Sequence, residues 1–295
     1  MLYGILYSIV VLGMSPLVAG IIKTAKARLQ NRRGASPLQP YYDLAKLFRK
    51  GSVVSPTTSW LFQVAPYVYF AASAAAAGMA AVGQFSSVAD MLILVYISGL
   101  GRFFLALASL DAGSAFGGMG GSREMYISVL VEPALLLALL TVAGPAGTTS
   151  LAGMSGAAAG APLAFSYIMA AIAFFVVIIA ETGRIPVDNP DTHLELTMVH
   201  EGMVLEYSGR HLGLIHWASM MKQMTVLVLF VVFFVPWGVP GLPVMIGGLV
   251  FAFKLVAAAL LLALAETSTN KMRLFRLPGF LAVSCLLSLL ALVAQ

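Results

Sequence analysis

The sequence predicts an all-α integral membrane protein, a bundle of about eight transmembrane helices with one interfacial amphipathic helix. Three observations carry this. Of 295 residues, 60% are hydrophobic and only 10% charged, with a mean hydropathy of +0.94, whereas a soluble fold would need about a quarter charged residues. Apolar runs near the ~20 residues needed to cross a bilayer recur along the whole chain. The loop cations, finally, all fall on alternate connectors. No soluble segment is long enough to stand alone, so residues 1–295 read as a single transmembrane domain.

The candidate spans are 2–22, 62–83, 88–109, 125–146, 163–183, 214–235, 244–266 and 274–294. Helices are expected, because an isolated apolar run satisfies its backbone hydrogen bonds internally only as a helix. The first run lacks a basic flank and a clear cleavage site, which predicts an anchor and not a removed signal peptide. The loop 23–60 follows. In it Tyr41, Leu44 and Phe48, with Ala45 and Leu47, form an apolar stripe while Asp43, Lys46, Arg49 and Lys50 take other faces, the pattern of an interfacial amphipathic helix. The uncharged stretch 144–162, GPAGTTSLAGMSGAAAGAP, reads as a flexible connector. No internal repeat is visible.

Basic residues set the topology. The loop 23–60 holds Lys23, Lys26, Arg28, Arg32, Arg33, Lys46, Arg49 and Lys50. The loops 110–124, 184–213 and 267–273, with the start of the last span, add Arg123, Arg184, Arg210, Lys271, Arg273 and Arg276. The intervening connectors have no cation, so the positive-inside rule makes the basic side cytoplasmic and turns both termini outwards. The loop 23–60 carries +7 and the loop 184–213 carries −3 on this same side. That pairing suits a docking platform, with Arg28, Arg32, Arg33, Lys46 and Arg49 as candidate partner contacts beside anionic lipid. Nucleic acid is an unsuitable partner, because the chain has no soluble aromatic–basic module to read it. The one cysteine, Cys285, can form no internal disulfide, and an iron–sulfur cluster usually takes four thiolates. Any redox centre must then belong to a partner.

Arg102, Lys222, Lys254 and Glu132 lie inside spans, while Glu181 and Glu266 are expected at cytoplasmic helix ends. At ~1.5 Å per residue, Arg102, Glu132 and Lys222 sit ~10–13 Å from the cytoplasmic boundary and Lys254 ~18 Å in. A charge at helix centre costs on the order of 2.5–3.5 kcal/mol on insertion scales, so four of them need pairing or a wet cavity. A lysine stem reaches only ~6 Å, too little to snorkel Lys254 to the interface. Two readings remain, structural ion pairs or a chain of titratable groups entering from the cytoplasm, as in proton relays. We take the relay as the expectation.

The loop 184–213 carries five carboxylates, Asp188, Asp191, Glu195, Glu201 and Glu206. If it is helical beyond Pro190, Glu195 and Glu206 share a stripe and Glu201 lies off it. Like charges on one face raise one another's pKa values, which suits proton exchange. Leu194, Leu196, Met198, Val199, Met203, Val204 and Leu205 interleave the acids and call for burial against the bundle or another subunit. His193 and His200 lack a third ligand at metal spacing, and no second histidine completes an HExxH pattern at His200, so no metal site is assigned.

Together, Arg28 with 31-NRRG-34, 43-DLAKLF-48, 101-GRFF-104, 110-LDAGSAFGG-118, 122-SREM-125 leading into 130-LVEP-133, and 181-ETGRIPVDNPDTHLELTMVHEGMVLEYSG-209 resemble one family. It is the membrane subunit 1 (H-subunit) family of respiratory complex I, with its relatives in energy-converting, membrane-bound nickel–iron hydrogenases of the formate-hydrogenlyase and hydrogenase-4 kind. The resemblance runs through nearly the whole chain. The short Ala35-Ser36-Pro37-Leu38-Gln39 turn lacks the insertion usual in quinone-reducing complexes, which places the chain nearer the hydrogenase branch. The run Asn189-Pro190-Asp191-Thr192-His193 departs from the formate-hydrogenlyase pattern, which carries more glutamates and is slightly shorter.

The resemblance implies a non-catalytic subunit that anchors the hydrogenase large and small (iron–sulfur) subunits and links their chemistry to proton or sodium movement. It implies an ion path of Glu132, Asp188, Asp191, Glu195, Glu201 and Glu206, with Arg102, Lys222 and Lys254 leading towards antiporter-like membrane subunits. The chain would hold no cofactor; the nickel–iron centre and iron–sulfur clusters would sit in its partners, at a prokaryotic cytoplasmic (inner) membrane. The alternatives are a quinone-binding complex I subunit 1, a stand-alone ion or proton transporter, and a passive anchor. A transporter would favour inverted repeats, and a passive anchor has no need of four intramembrane charges.

Overall fold

The computed structural model describes residues 2–83, 89–160, 164–189, 198–237 and 244–294, the side chains of 2–7 and 244–245 excepted. Within them the chain is helical throughout, with no strand beyond an isolated bridge between Asp90 and Ser150. Seven helices are long and apolar enough to cross a membrane, and a shorter apolar one accompanies them. This is an all-α, multi-pass membrane protein.

Helix α1 (Leu2–Leu29) runs 28 residues, past the expected end at residue 22, and so is ~42 Å long. Asn31 closes it in a left-handed conformation (φ 56°), with its N–H donating to the Arg28 carbonyl and that of Arg32 to Ala27. Asparagine tolerates this geometry better than most side chains, so the Asn31-Arg32-Arg33-Gly34 turn is a helix cap that also displays two arginines. The chain then doubles back along α1, where the Ala35 carbonyl accepts from Thr24 Oγ1 at 2.9 Å. Helix α2 (Gln39–Arg49) is the expected amphipathic helix. Leu44 is buried beneath it, and Lys46 and Arg49 are exposed.

Helices α3 (Trp60–Val82) and α4 (Met91–Asp111) are each opened by a side-chain cap, Ser59 accepting from Leu61 N and Asp90 from Leu92 N. These bonds satisfy amides that the first helical turn leaves free. Helix α5 (Ala115–Ala146) starts ten residues before the expected span at 125. Its glycine-rich first turns look like a loop in sequence but are capped by Ser114, whose Oγ accepts from Gly117 N at 3.1 Å. They must be thin because α8 lies on them. A Cβ on Gly120 would sit 2.9 Å from both Met203 N and the Val199 carbonyl.

The expected flexible connector 144–162 is corrected. It contains helix α6 (Leu151–Gly160), with Leu151, Met154 and Ala158 buried. Thr149 Oγ1 bonds Asp90, and main-chain bonds link Met91 N to Thr149 O and Leu151 N to Ala89 O. Small uncharged residues here provide a close-packing surface, not slack.

Helix α7 (Phe165–Glu181) is the shorter apolar helix, α8 (His200–Val204) a single turn, and α9 (Gly209–Phe234) the most enclosed span. Helix α10 (Val244–Ser268) packs on α1 and α9, and α11 (Leu277–Val293), after a 3₁₀ turn at Leu274–Arg276, packs on α7 and α5. Because α4 packs on α5, α5 on α7 and α7 on α9, the charged groups that these four helices carry come within reach of one another.

Candidate functional site

They meet around Arg102. Its guanidinium, from α4, donates through Nη1 to Glu181 Oε2 on α7 at 2.7 Å and through Nη2 to Glu132 Oε1 on α5 at 2.8 Å. Glu181 Oε1 lies 3.3 Å from Lys222 Nζ on α9. Four helices thus converge on one ion cluster. The flanking glycines permit it: a Cβ on Gly99 would lie 3.2 Å from Glu132 Oε1, and one on Gly101 would press Tyr69 Cδ2 at 3.0 Å. This is the physical content of the 101-GRFF-104 motif and its preceding glycine. The side chains of Glu181 and Arg102 are 2% and 5% exposed, while that of Glu132 is 38% exposed. The cluster is therefore deep at Glu181 and open at Glu132.

A second cluster lies beside it. Glu266 on α10, fully enclosed, binds Lys26 of α1 at 2.8 Å and Arg184 at 3.4 Å. Arg184 Nη2 also donates to Gln223 Oε1 at 3.0 Å. Two adjacent residues of α9, Lys222 and Gln223, therefore address two residues spaced three apart, Glu181 and Arg184. Asp188 closes the series, pairing with Lys271 at 2.8 Å and accepting from the amides of Asn189, Val199 and His200 at 2.8, 3.3 and 3.4 Å. Asp188 so anchors the start of α8 as well as carrying charge.

All three groups face one cavity of ≈ 190 Å³, lined by five cations, Lys23, Lys26, Arg102, Arg184 and Lys222, and four carboxylates, Glu124, Glu181, Asp188 and Glu201. A hydrogen-bonded chain of hydroxyls crosses its wall, with His200 Nε2 3.3 Å from Ser219 Oγ, itself 3.4 Å from Tyr69 Oη. The acidic loop is sewn to the bundle by Tyr207, which stacks on Phe62 at 4.0 Å and donates to the Phe62 carbonyl at 2.9 Å. Burial pushes that phenol well above its ordinary pKa, so it remains a donor. The basic and acidic loops touch where Ser208 Oγ bonds both Val53 N and Val53 O at 2.8 and 3.1 Å.

Of the residues singled out in sequence, Glu132, Arg102 and Lys222 join one cluster, and Asp188 and Glu201 line the same cavity. Glu206 is exposed and outside it. Asp191 and Glu195, with His193, lie outside the described residues, and with them the expected Glu195–Glu206 stripe. Lys254 is placed elsewhere: its Nζ donates to the carbonyls of Val235, at 2.7 Å, and Trp237, at the C-terminal end of α9. Among the described residues no carboxylate pairs with it. The reason is that α9 ends there with free carbonyls, which a cation satisfies. Arg28, Arg32, Arg33, Lys46 and Arg49 are exposed.

Glu181, the last residue of α7, and Glu266, two residues before the end of α10, lie at helix ends as expected and are also the carboxylates of the two clusters. Glu124, Lys26, Arg184 and the His200–Ser219–Tyr69 chain were not anticipated. A signal existed for Glu181, since three intramembrane cations with a single intramembrane carboxylate leave a charge to be balanced.

The NADH dehydrogenase family profile matches residues 2–295. Formate hydrogenlyase subunit 4 of Escherichia coli is 37% identical over 284 residues, covering 92% of this chain and 91% of that one. Hydrogenase-4 component C of the same organism is 35% identical over 245 residues, covering 80% and 76%. The H-type membrane component of the NADH-quinone oxidoreductase of Rubrobacter xylanophilus is 34% identical over 199 residues, covering 64% and 59%. In shape, the chain matches a chain of the archaeal membrane-bound sulfane sulfur reductase with a TM-score of 0.85 at 21% identity, over 100% of this chain and 99% of that one. The cluster-forming motifs, the helical architecture and the full-length match agree: the chain belongs to the NADH dehydrogenase family, as a membrane subunit of the complex I subunit 1 type.

Proposed function

We propose that this chain is the membrane-anchoring and ion-coupling subunit of a multi-subunit redox complex, in which a nickel–iron hydrogenase module docks on the cytoplasmic face and its turnover drives proton or sodium movement. The observation that carries the reading is the cavity joining the acidic loop to the Glu181–Arg102–Glu132 cluster. Its lining holds Glu201 and His200 of the loop together with Glu181, a carboxylate shared by two cations, and Arg102 also lines a separate crevice in which Glu132 is partly exposed. A proton added to Glu181 weakens its pairs with Arg102 and Lys222 together. Arg102 then binds Glu132 more strongly, which transmits the charge change across the bundle without a long excursion of any side chain.

On this reading the chain holds no cofactor; the nickel–iron centre and iron–sulfur clusters belong to the large and small subunits, and antiporter-like membrane subunits receive the path. The relatives' names support the hydrogenase module. Charge placement supports a prokaryotic cytoplasmic membrane setting with both termini outside, and the exposed Arg28, Arg32, Arg33, Lys46 and Arg49 supply the docking face.

The test has two arms. Purification in mild detergent recovers a nickel–iron subunit with this chain, and Glu132→Gln leaves that assembly intact while reducing hydrogen- or formate-linked ion uptake in inverted vesicles. Recovery of the chain alone, active as a transporter after reconstitution, overturns the docking reading. Undiminished uptake in Glu132→Gln overturns the coupling reading.

A further inference from the structure

A second cavity, of ≈ 330 Å³, opens between α1, α2 and α9, and shares Lys23, His216 and Met220 with the ion cavity. Lys23, Lys46 and Lys50 converge on it from two helices, and Leu44, Leu47 and Met220 give it an apolar side. Its one carboxylate, Asp43, accepts a hydrogen bond from Gln39 Nε2 at 2.9 Å. Among the described residues no carboxylate lies within ion-pair distance of any of the three lysines. A like-charged triad gathered in one crevice is self-repelling unless an anion joins it.

The level of the crevice identifies that anion's chemistry. Lys23 is the first charge after the apolar run of α1, and α2 is an interfacial helix whose Tyr42 is 64% exposed, so the crevice lies at the height of the phospholipid headgroups. Its lining is amphipathic in the same sense as a glycerophospholipid, combining three lysines with leucine and methionine carbons. We propose that the crevice binds the phosphate of an anionic phospholipid, with Lys23, Lys46 and Lys50 around the phosphate and Leu44, Leu47 and Met220 against the glycerol and first acyl carbons. Because Lys23 and His216 line both cavities, the bound lipid forms part of the wall of the ion cavity. The lipid site does not depend on which redox partner docks.

The full chain in phosphatidylcholine nanodiscs is titrated with phosphatidylglycerol, and bound lipid is counted by native mass spectrometry. One phosphatidylglycerol is retained per chain, and the triple variant Lys23→Gln/Lys46→Gln/Lys50→Gln weakens retention on the order of a hundredfold, the scale set by three near-surface cations. The three lysines are exposed and unpaired, so the variant keeps the fold. Arg28→Gln/Arg32→Gln/Arg33→Gln, which removes the same charge outside the crevice, retains the lipid. Equal losses in the two triple variants mean diffuse attraction and overturn the site. Inorganic phosphate binding there at millimolar concentration, with no lipid retained, makes it a soluble-anion site and overturns the lipid assignment. An intact complex that keeps no phosphatidylglycerol while the free chain does puts a partner's acidic side chain in the crevice, and overturns it as well.

Discussion

Glu181→Gln separates ion coupling from mere charge pairing. The Glu181 side chain is 2% exposed and is shared by Arg102 at 2.7 Å and Lys222 at 3.3 Å, whose own side chains are 5% and 13% exposed. Removing its charge leaves two enclosed cations with one partly open carboxylate, Glu132, that touches only Arg102. Breaking a buried pair by deleting one partner costs about 3–5 kcal/mol, because the remaining charge is uncompensated. The glutamine oxygen still accepts from Arg102, which puts this case near the lower end, about 3 kcal/mol. The second substitution, Lys222→Met, then removes the orphaned cation, and the double variant is balanced again with Arg102 on Glu132. Stability in detergent, followed by thermal or denaturant unfolding of the assembled chain, falls in Glu181→Gln and returns most of the way in the double variant. Coupled ion uptake in vesicles does not return, because the carboxylate that would take the proton is gone; the deficit is on the order of a hundredfold, the scale of losing a positioned proton-transfer group. If the double variant regains both stability and uptake, the cluster is a structural ion pair and does not couple.

Lys254→Met leaves coupled uptake near wild type and lowers stability by about 1–2 kcal/mol, since the Val235 and Trp237 carbonyls lose a charged donor; vesicle assays and unfolding on the same preparation check it. Tyr207→Phe keeps the ring stacked on Phe62 but strips the Phe62 carbonyl of its donor, costing about 1 kcal/mol and speeding amide exchange over residues 198–208. Gly120→Ala forces α5 and α8 apart, because the new methyl meets two backbone atoms of the α8 segment, Met203 N and the Val199 carbonyl, at 2.9 Å. It costs upwards of about 2 kcal/mol, and reduced uptake with faster exchange at Met198–Val204 is the expected pair of readings.

The spans were legible because a bilayer imposes a length and a composition that no local accident imitates. The amphipathic helix at Gln39–Arg49 was legible because Tyr41, Leu44 and Phe48 keep helical spacing. Small residues were harder to read. The glycine-rich start of α5 and the Ala/Gly helix α6 look like loops because glycine weakens a helix in isolation, yet here it allows helices to approach, a benefit that depends on the partner. Glu181 and Glu266 stand at or near helix ends as the sequence predicts, but their partners were not legible. Counting residues to a helix end says nothing of neighbouring helices, whereas α1 continues seven residues past its apolar run and brings Lys26 alongside Glu266. The acids of the loop beyond Pro190 were readable as a pattern only. Lys254 lies midway along α10, as sequence distance has it, but its contact with the Val235 and Trp237 carbonyls at the end of α9 depends on packing that no spacing reveals.

The wall of the ion cavity carries five cations, Lys23, Lys26, Arg102, Arg184 and Lys222, and four carboxylates, Glu124, Glu181, Asp188 and Glu201. On the coupling reading proposed above, the step of a proton across this cavity rises in energy when any one of those carboxylates is withdrawn. Glu201 sits on α8, the single turn whose first amides are held by Asp188, itself paired with Lys271. Displacing the acidic loop by a fraction of a turn would withdraw Glu201 and raise that step while leaving the Arg102 cluster intact. A docked redox module that moves this loop would then control ion entry through electrostatics alone, which is why the loop's anchors, Asp188 and Tyr207, matter as much to coupling as the acids they position.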